Sequence, residues 1–133
     1  MIFVKKLTLV AIFLVTLLLF ACQSNKNNIM FVGEDENWSS KVTVNQTASD
    51  ETYYIQINYK GHGMQNIEAF SYSVKTKDNS VFDFSEINTS LSKEGIYQKD
   101  LPISNSPSIS VDDELVIKVE WNGNSEDFSL IYK

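Results

Sequence analysis

The feature that most constrains the fold is a two-residue alternation of apolar and polar side chains, which recurs along the chain from about Phe31 onward. The run Glu114–Trp121 shows it most clearly, because every second side chain in it is apolar. Successive side chains of a β-strand point to opposite faces of a sheet. This run therefore predicts a strand with one buried face, and no segment shows sustained helical spacing.

Seven runs of this kind are separated by turn residues, which predicts seven short strands. They are Trp38–Val44, Tyr53–Tyr59, Ile67–Val74, Ser80–Phe84, Gly95–Leu101, Glu114–Trp121 and Asp127–Tyr132. One apolar face per strand fits two antiparallel sheets that pack face to face and expose polar outer faces. We therefore expect an all-β domain, a single antiparallel immunoglobulin-like β-sandwich of about seven strands.

Asn122-Gly123 separates the last two runs and predicts a tight hairpin. Asn-Gly favours positive φ at both central positions of a type I′ turn, whose twist suits paired strands. The hairpin places the apolar side chains of both runs on one face, including Trp121, Phe128 and Tyr132. On this basis we expect Gly123→Val to cost clearly more stability than Gly33→Val.

The first 21 residues differ from the rest of the chain. Lys5 and Lys6 precede an apolar run of 14 residues, Leu7–Phe20, in which two threonines are the polar members. A membrane-spanning helix needs roughly 20 apolar residues. A basic start followed by a shorter apolar run is typical of a secretory signal peptide, so residues 1–21 are predicted to be removed.

Cys22 is the single cysteine of the chain and follows this run directly. Leu19, Ala21 and Cys22 resemble the lipobox of bacterial lipoproteins, whereas Phe20 departs from it because small or β-branched residues are usual there. The resemblance implies a diacylglyceryl group on Cys22, cleavage before Cys22, and a protein anchored to the cell membrane on its extracytoplasmic side. The polar segment within residues 22–30 then reads as a tether, and residues 31–133 as the β-sandwich domain.

The charge balance narrows the classes of partner. Loss of Lys5 and Lys6 with the leader takes the formal net charge from −6 to −8. Nucleic-acid binding needs a basic face, so we expect no nucleic-acid partner. Anionic lipid would not attract such a chain electrostatically either. If charge drives an association, a cationic protein or peptide is favoured.

Two short motifs near the ends of the mature chain resemble small lipoproteins of low-GC Gram-positive bacteria. The first is a G-E-x-x-N-W start at Gly33–Trp38, and the second is a W-N-G closing hairpin at Trp121–Gly123. This resemblance bears on fold and location, and it implies no catalytic residue.

Candidate sites for chemistry are few. His62 lies between two glycines and lacks a second histidine or a cysteine for a zinc-like ligand set. Glu34-Asp35-Glu36 and Asp112-Asp113-Glu114 are acidic, but neither has the spaced carboxylates of a dedicated calcium loop. Serine-nucleophile and glycine-rich phosphate motifs do not occur in the sequence. We therefore expect no cofactor, no metal and no enzymatic activity.

Tyr54 and Tyr97 are our candidates for a binding surface. Tyr54 falls on the polar face of its run, and tyrosine is enriched at interfaces. We expect a non-enzymatic, lipid-anchored protein with a binding or cell-envelope role. The alternative is an acidic inhibitor or immunity lipoprotein that neutralises a cationic envelope-active protein or peptide.

Overall fold

The residues that the structure describes form eight antiparallel strands in one curled sheet. The computed structural model describes residues 4–10, 27–47, 50–61, 67–78, 81–104 and 109–133. The strands are β1 (Asn27–Glu34), β2 (Trp38–Gln46), β3 (Asp50–Tyr59), β4 (Phe70–Thr76), β5 (Asp83–Thr89), β6 (Ile96–Ser104), β7 (Leu115–Trp121) and β8 (Asn124–Tyr132). The prediction of an all-β, antiparallel fold is confirmed.

The order of strands across the sheet is β5-β4-β7-β8-β1-β2-β3-β6, so β5 and β6 are its two ends. Strand β8 joins the two halves of the sheet, β5-β4-β7 and β1-β2-β3-β6, because it pairs with β7 on one side and with β1 on the other. The pairing with β1 is short and joins Phe31 to Tyr132 and Val32 to Ile131. Most of the hydrogen bonding therefore lies within the halves rather than between them.

The apolar positions of the sequence alternation are the positions that form the buried core. Inward residues of β2, β3, β4, β7 and β8 form one buried cluster. Trp38 of β2 is fully buried at its centre, with ring centroids 5.3 Å from Phe70 of β4 and 5.5 Å from Trp121 of β7. Near β5, Phe82 stacks on Tyr53 of β3 at 4.2 Å. Aromatic contacts thus connect the two halves where backbone pairing is sparse.

The closing hairpin is confirmed. Asn122 and Gly123 have φ values of 45° and 77°, the positive values that a type I′ turn requires. The turn sets Trp121 opposite Asn124, and the register continues to Leu115 opposite Leu130. Leu130 is buried, whereas Tyr132, which has the same parity and pairs with the buried Phe31, is half exposed. The reason is that β7 begins opposite Leu130, so no β7 residue pairs beyond that point.

Two strands differ from the sequence expectation. Strand β1 was not among the seven runs, and it begins at Asn27, inside the range read as a tether. Strand β5 begins at Asp83 and is distorted near its end, where two residues, Ile87 and Asn88, lie opposite Ser71 of β4. Asn88 there adopts a φ of 56°, and such a bulge interrupts the simple alternation.

The two end motifs, Gly33–Trp38 and Trp121–Gly123, meet in space. The backbone N–H and side-chain amide of Asn37 both donate to the Glu126 carboxylate, with the backbone contacts at 3.1 and 3.2 Å and the side-chain contact at 2.5 Å. Trp38 and Trp121 meet edge to face. The initial and closing motifs therefore form one structural cluster between β1, β2, β7 and β8.

The expected ranking of the two glycines is wrong. A Cβ atom on Gly33 would lie 2.0 Å from the Ser129 carbonyl oxygen and 2.9 Å from Leu130 Cδ2. A Cβ atom on Gly123 would meet no atom of the described residues within 4 Å, so the positive φ is the strain there. Gly33 permits a close backbone approach of β8, and its replacement is the more disruptive of the two.

Residues 4–10 form a short helix whose side chains are exposed. Among the residues that the structure describes, no helix has both the length and the apolar character that a membrane crossing requires.

Candidate binding face

The outer surface of β2, β3 and β6 carries a continuous set of polar side chains around one exposed aromatic ring. We call this set the candidate binding face, and its residues are Lys41, Thr43, Tyr54, Gln56, Gln98 and Asp100. Backbone pairing holds them in two cross-strand rows. Thr43, Tyr54 and Asp100 form one row, and Lys41, Gln56 and Gln98 form the other. The face therefore rests on regular strands rather than on loops.

Strand alternation turns Tyr54 outward. Its neighbours Tyr53 and Ile55 are both buried, so the residue between them must face the other side of the sheet. The Tyr54 side chain is 41% exposed. A large ring in such a position is not explained by packing, because the core lies on the opposite face.

Two shallow depressions adjoin on this surface. One, of about 340 Å³, surrounds Tyr54. The other, of about 430 Å³, extends toward β1 and is lined by Val32, Ser39 and Asn58 among others. Lys41 and Gln56 line both depressions, so the two form one elongated groove across the sheet.

Most polar groups of the face are not engaged by the protein itself. Within the described ranges, the side chains of Lys41, Thr43, Tyr54, Gln98 and Asp100 make no hydrogen bond or ion pair with another residue. Gln56 makes a long contact, with its Nε2 donating to Asn58 Oδ1 at 3.4 Å. The donors and acceptors of the face are thus available to a ligand.

Tyr97, the second tyrosine candidate, lies on the inner side of β6. It is paired with Ile57, whose side chain is buried, and its hydroxyl donates to the Glu86 carboxylate of β5. Lys99 Nζ lies 3.0 Å from the other oxygen of the same carboxylate, and the hydroxyls of Tyr72 and Tyr97 are 3.5 Å apart. We call these four residues, Tyr72, Glu86, Tyr97 and Lys99, the seam cluster.

The seam cluster connects the two ends of the sheet through side chains. Glu86 lies on β5, while Tyr97 and Lys99 lie on β6, the strand at the opposite end of the order. Burial raises the pKa of Tyr97, and its hydrogen bond to Glu86 raises it further. Burial likewise raises the pKa of Tyr72. These hydroxyls stay protonated and act as donors, which suits a structural link better than acid–base chemistry.

Tyr54 and Tyr97 are therefore not brought together. Tyr54 faces outward on β3, whereas Tyr97 faces inward on β6 and belongs to the seam cluster. The partners of Tyr54 on the face, Gln98 and Asp100, were not among the residues singled out from the sequence. The alternation of β6 could have placed them outward, but their position beside Tyr54 depends on the β3–β6 pairing.

Glu51 is a second residue that sequence reasoning missed. It is buried near the start of β3, and its Oε2 accepts a 2.9 Å hydrogen bond from the Tyr53 hydroxyl. Its Oε1 is buried and has no hydrogen-bond partner among the described residues. Burial, followed by the hydrogen bond to Glu51, raises the pKa of Tyr53. The sequence could have predicted this position, because Glu51 is two residues from Tyr53 and so points to the same, inward face of the strand.

The acidic clusters are partly engaged in the fold. Glu34 pairs with Lys60 at 3.1 Å, and Glu114 pairs with Lys77 at 3.2 Å. Asp113 accepts the backbone N–H of Ser110 at 2.8 Å. In the part of the chain described by the structure, no group of three or more His, Cys, Asp or Glu side chains is placed to hold a metal ion. Cys22 and His62 lie outside the described residues.

No protein-family model matches the chain, and neither the curated proteins nor the solved structures include a significant match to it.

Proposed function

We propose that the protein is a lipid-anchored, non-enzymatic binding protein displayed on the extracytoplasmic side of the cell membrane. The observation that carries the binding role is the candidate binding face, where an exposed Tyr54 sits among polar groups that the fold leaves unused. The anchor rests on the sequence, in which a basic start, an apolar run and Cys22 follow in order.

The topology supports display away from the membrane. Strand β1 begins at Asn27, five residues after Cys22, so the lipid would hold the β1 start near the membrane surface. Strand β1 then runs away from that point, which puts the β1–β2 turn and the Asn122–Gly123 turn at the far end. The groove crosses β1, β2, β3 and β6 on the outer face of the sheet.

We also propose a finer description of the fold, in which the curled sheet is a two-layer sandwich. Its support is the set of ring contacts between the halves, such as Trp38 with Phe70 and Tyr53 with Phe82. An immunoglobulin-like arrangement of the strands stays a prediction.

The anchor is tested by labelling cells with palmitate and fractionating them. Cys22→Ala should abolish the label and leave an uncleaved precursor, because the thiol is the acceptor of the lipid. Ser24→Ala, two residues further on, is the matched control and should keep the label. Equal label in Cys22→Ala and in wild type would remove the lipoprotein proposal.

A second candidate function, the acidic inhibitor, is favoured by one observation. The turn with Glu34, Asp35 and Glu36 lies at the end of the sheet farthest from the proposed anchor, where a cationic partner could approach it. Capture of partners at low and at raised salt tests this candidate, since exposed charge pairing is screened by salt. Partners that are all insensitive to salt would count against it.

A further inference from the structure

We propose that the candidate binding face binds a neutral glycan chain, with Tyr54 as a stacking platform and Gln56, Gln98 and Asp100 as hydrogen-bonding groups. This inference deepens the proposed function and rests on it, because it names the chemical class of the ligand.

Charge complementarity is the first argument. The predicted mature chain carries a formal net charge of −8, yet the face contains one cation, Lys41, and one anion, Asp100, and is formally neutral. Glu34, which borders the groove, is paired with Lys60 at 3.1 Å. A polyanion would need several cations here, and a cationic peptide would need several carboxylates. An uncharged polar ligand therefore matches the formally neutral charge of the face.

The chemistry of the side chains is the second argument. An amide group carries two donors and one acceptor with two lone pairs, so a glutamine can donate to one sugar hydroxyl and accept from its neighbour. Gln56 and Gln98 lie directly opposite each other, and Asp100 adds a pure acceptor beside Tyr54. The π face of an aromatic ring is negative and attracts the weakly positive C–H groups of a pyranose ring.

The geometry also disfavours a peptide or a helix as occupant. Strand addition places a peptide along a free sheet edge, which here belongs to β5 or β6. The groove instead runs across the face of β2 and β3, and each of these strands is paired on both sides. A helix in a groove needs a row of apolar anchors, whereas the exposed large apolar side chain of this face is Tyr54. The elongated groove suits several linked sugars rather than a single one.

The outer face of the other half provides an internal comparison. There, Lys118 and Glu120 of β7 form an ion pair at 3.2 Å, and short hydroxyl side chains such as Ser71 and Ser73 lie beside them on β4. That surface also carries the exposed aliphatic side chain of Ile87, but it has no amide side chains around an aromatic ring among its described lining residues. The concentration of amides around a ring is a property of the candidate binding face.

The test uses full-length protein in neutral detergent micelles on an array of neutral oligosaccharides, including gluco-, manno-, galacto- and N-acetylglucosamine oligomers. Affinities for any retained oligomer are then measured by titration calorimetry. We expect at least one oligomer to bind, at least tenfold weaker binding by Tyr54→Ala, and clear weakening by Gln56→Ala. Tyr54→Phe keeps the ring and should bind within about threefold of wild type, and Lys118→Ala should bind as wild type does.

Three results would overturn the inference. The first is that the protein binds no neutral oligomer at millimolar concentration, and the second is that Tyr54→Ala leaves binding unchanged. The third is that the protein retains oligolysine instead of glycans, which would favour the acidic-inhibitor function. Circular dichroism of each variant separates lost binding from lost folding. Since the micelle assay does not depend on where the protein resides, palmitate label without glycan binding would refute the ligand class alone.

Discussion

Gly33→Ala is expected to destabilise the protein by about 3 kcal/mol, the upper end of the usual cost of overpacking. The added Cβ would lie 2.0 Å from the Ser129 carbonyl oxygen, whereas ordinary contact begins near 3.4 Å. The difference of about 1.4 Å must come from moving β1 away from β8. A rotamer change cannot relieve the clash, because the atom that is struck belongs to the backbone.

Moving β1 away from β8 would disrupt the sheet at its shortest strand pairing. Strands β1 and β8 share two residue pairs, Phe31 with Tyr132 and Val32 with Ile131, and these join the two halves. Hydrogen bonds of this kind contribute about 1 kcal/mol each. Loss of these hydrogen bonds, together with displacement of the buried Leu130, accounts for the expected destabilisation by Gly33→Ala.

Urea unfolding followed by tryptophan fluorescence measures the effect. With a slope of about 2 kcal/mol per molar urea, the midpoint of Gly33→Ala should fall by about 1.5 M. Gly123→Ala is the control: its Cβ meets nothing, and the left-handed backbone conformation costs about 1 kcal/mol. If Gly33→Ala proves as stable as Gly123→Ala, the close approach of β1 and β8 is wrong.

Three further predictions concern the core and the seam cluster. Trp121→Ala should cost about 3–5 kcal/mol in urea unfolding, as truncation of a buried large aromatic does; a change below about 1 kcal/mol would contradict its buried position. Glu86→Gln should lower stability by about 1.5 kcal/mol, because a charge-assisted hydrogen bond is weakened, and should speed amide exchange in β6; unchanged exchange would argue against a link. The free energy of unfolding should fall as pH rises above about 10. Tyrosines of the unfolded chain ionise there, whereas Tyr53 keeps its proton in the folded state because its pKa is raised. Between pH 8 and 11, the free energy of unfolding of Tyr53→Phe should therefore fall less steeply than that of wild type.

The inward faces could be predicted from the sequence because they depend on local alternation alone. Tyr53, Ile55 and Ile57 are all buried, as their common parity requires. The Asn122-Gly123 turn was equally local, since its residue types favour the positive φ values that the backbone adopts.

Features that depend on distant pairing could not be read in this way. Strand β1 opens with two asparagines and resembles a tether, and it is ordered by pairing with β2 along its full length. Joining both halves into one sheet depends on β8 pairing with β1, for which the local pattern carries no signal. Gln98 and Asp100 of the candidate binding face come from β6, and Lys41 and Thr43 come from β2, so the face appears only when β3 is aligned with both strands.

The fold itself indicates where function is to be sought. The residues of the two end motifs have structural roles: Gly33 admits the β8 backbone, Asn37 binds Glu126, and Trp38 packs on Trp121. These contacts close the junction between the halves, and a chain of this fold needs them whatever it binds. Tyr54 has no such role, because it faces away from the core and makes no hydrogen bond to another described residue. A substitution that abolishes function without changing stability should therefore fall on the candidate binding face rather than on the motifs.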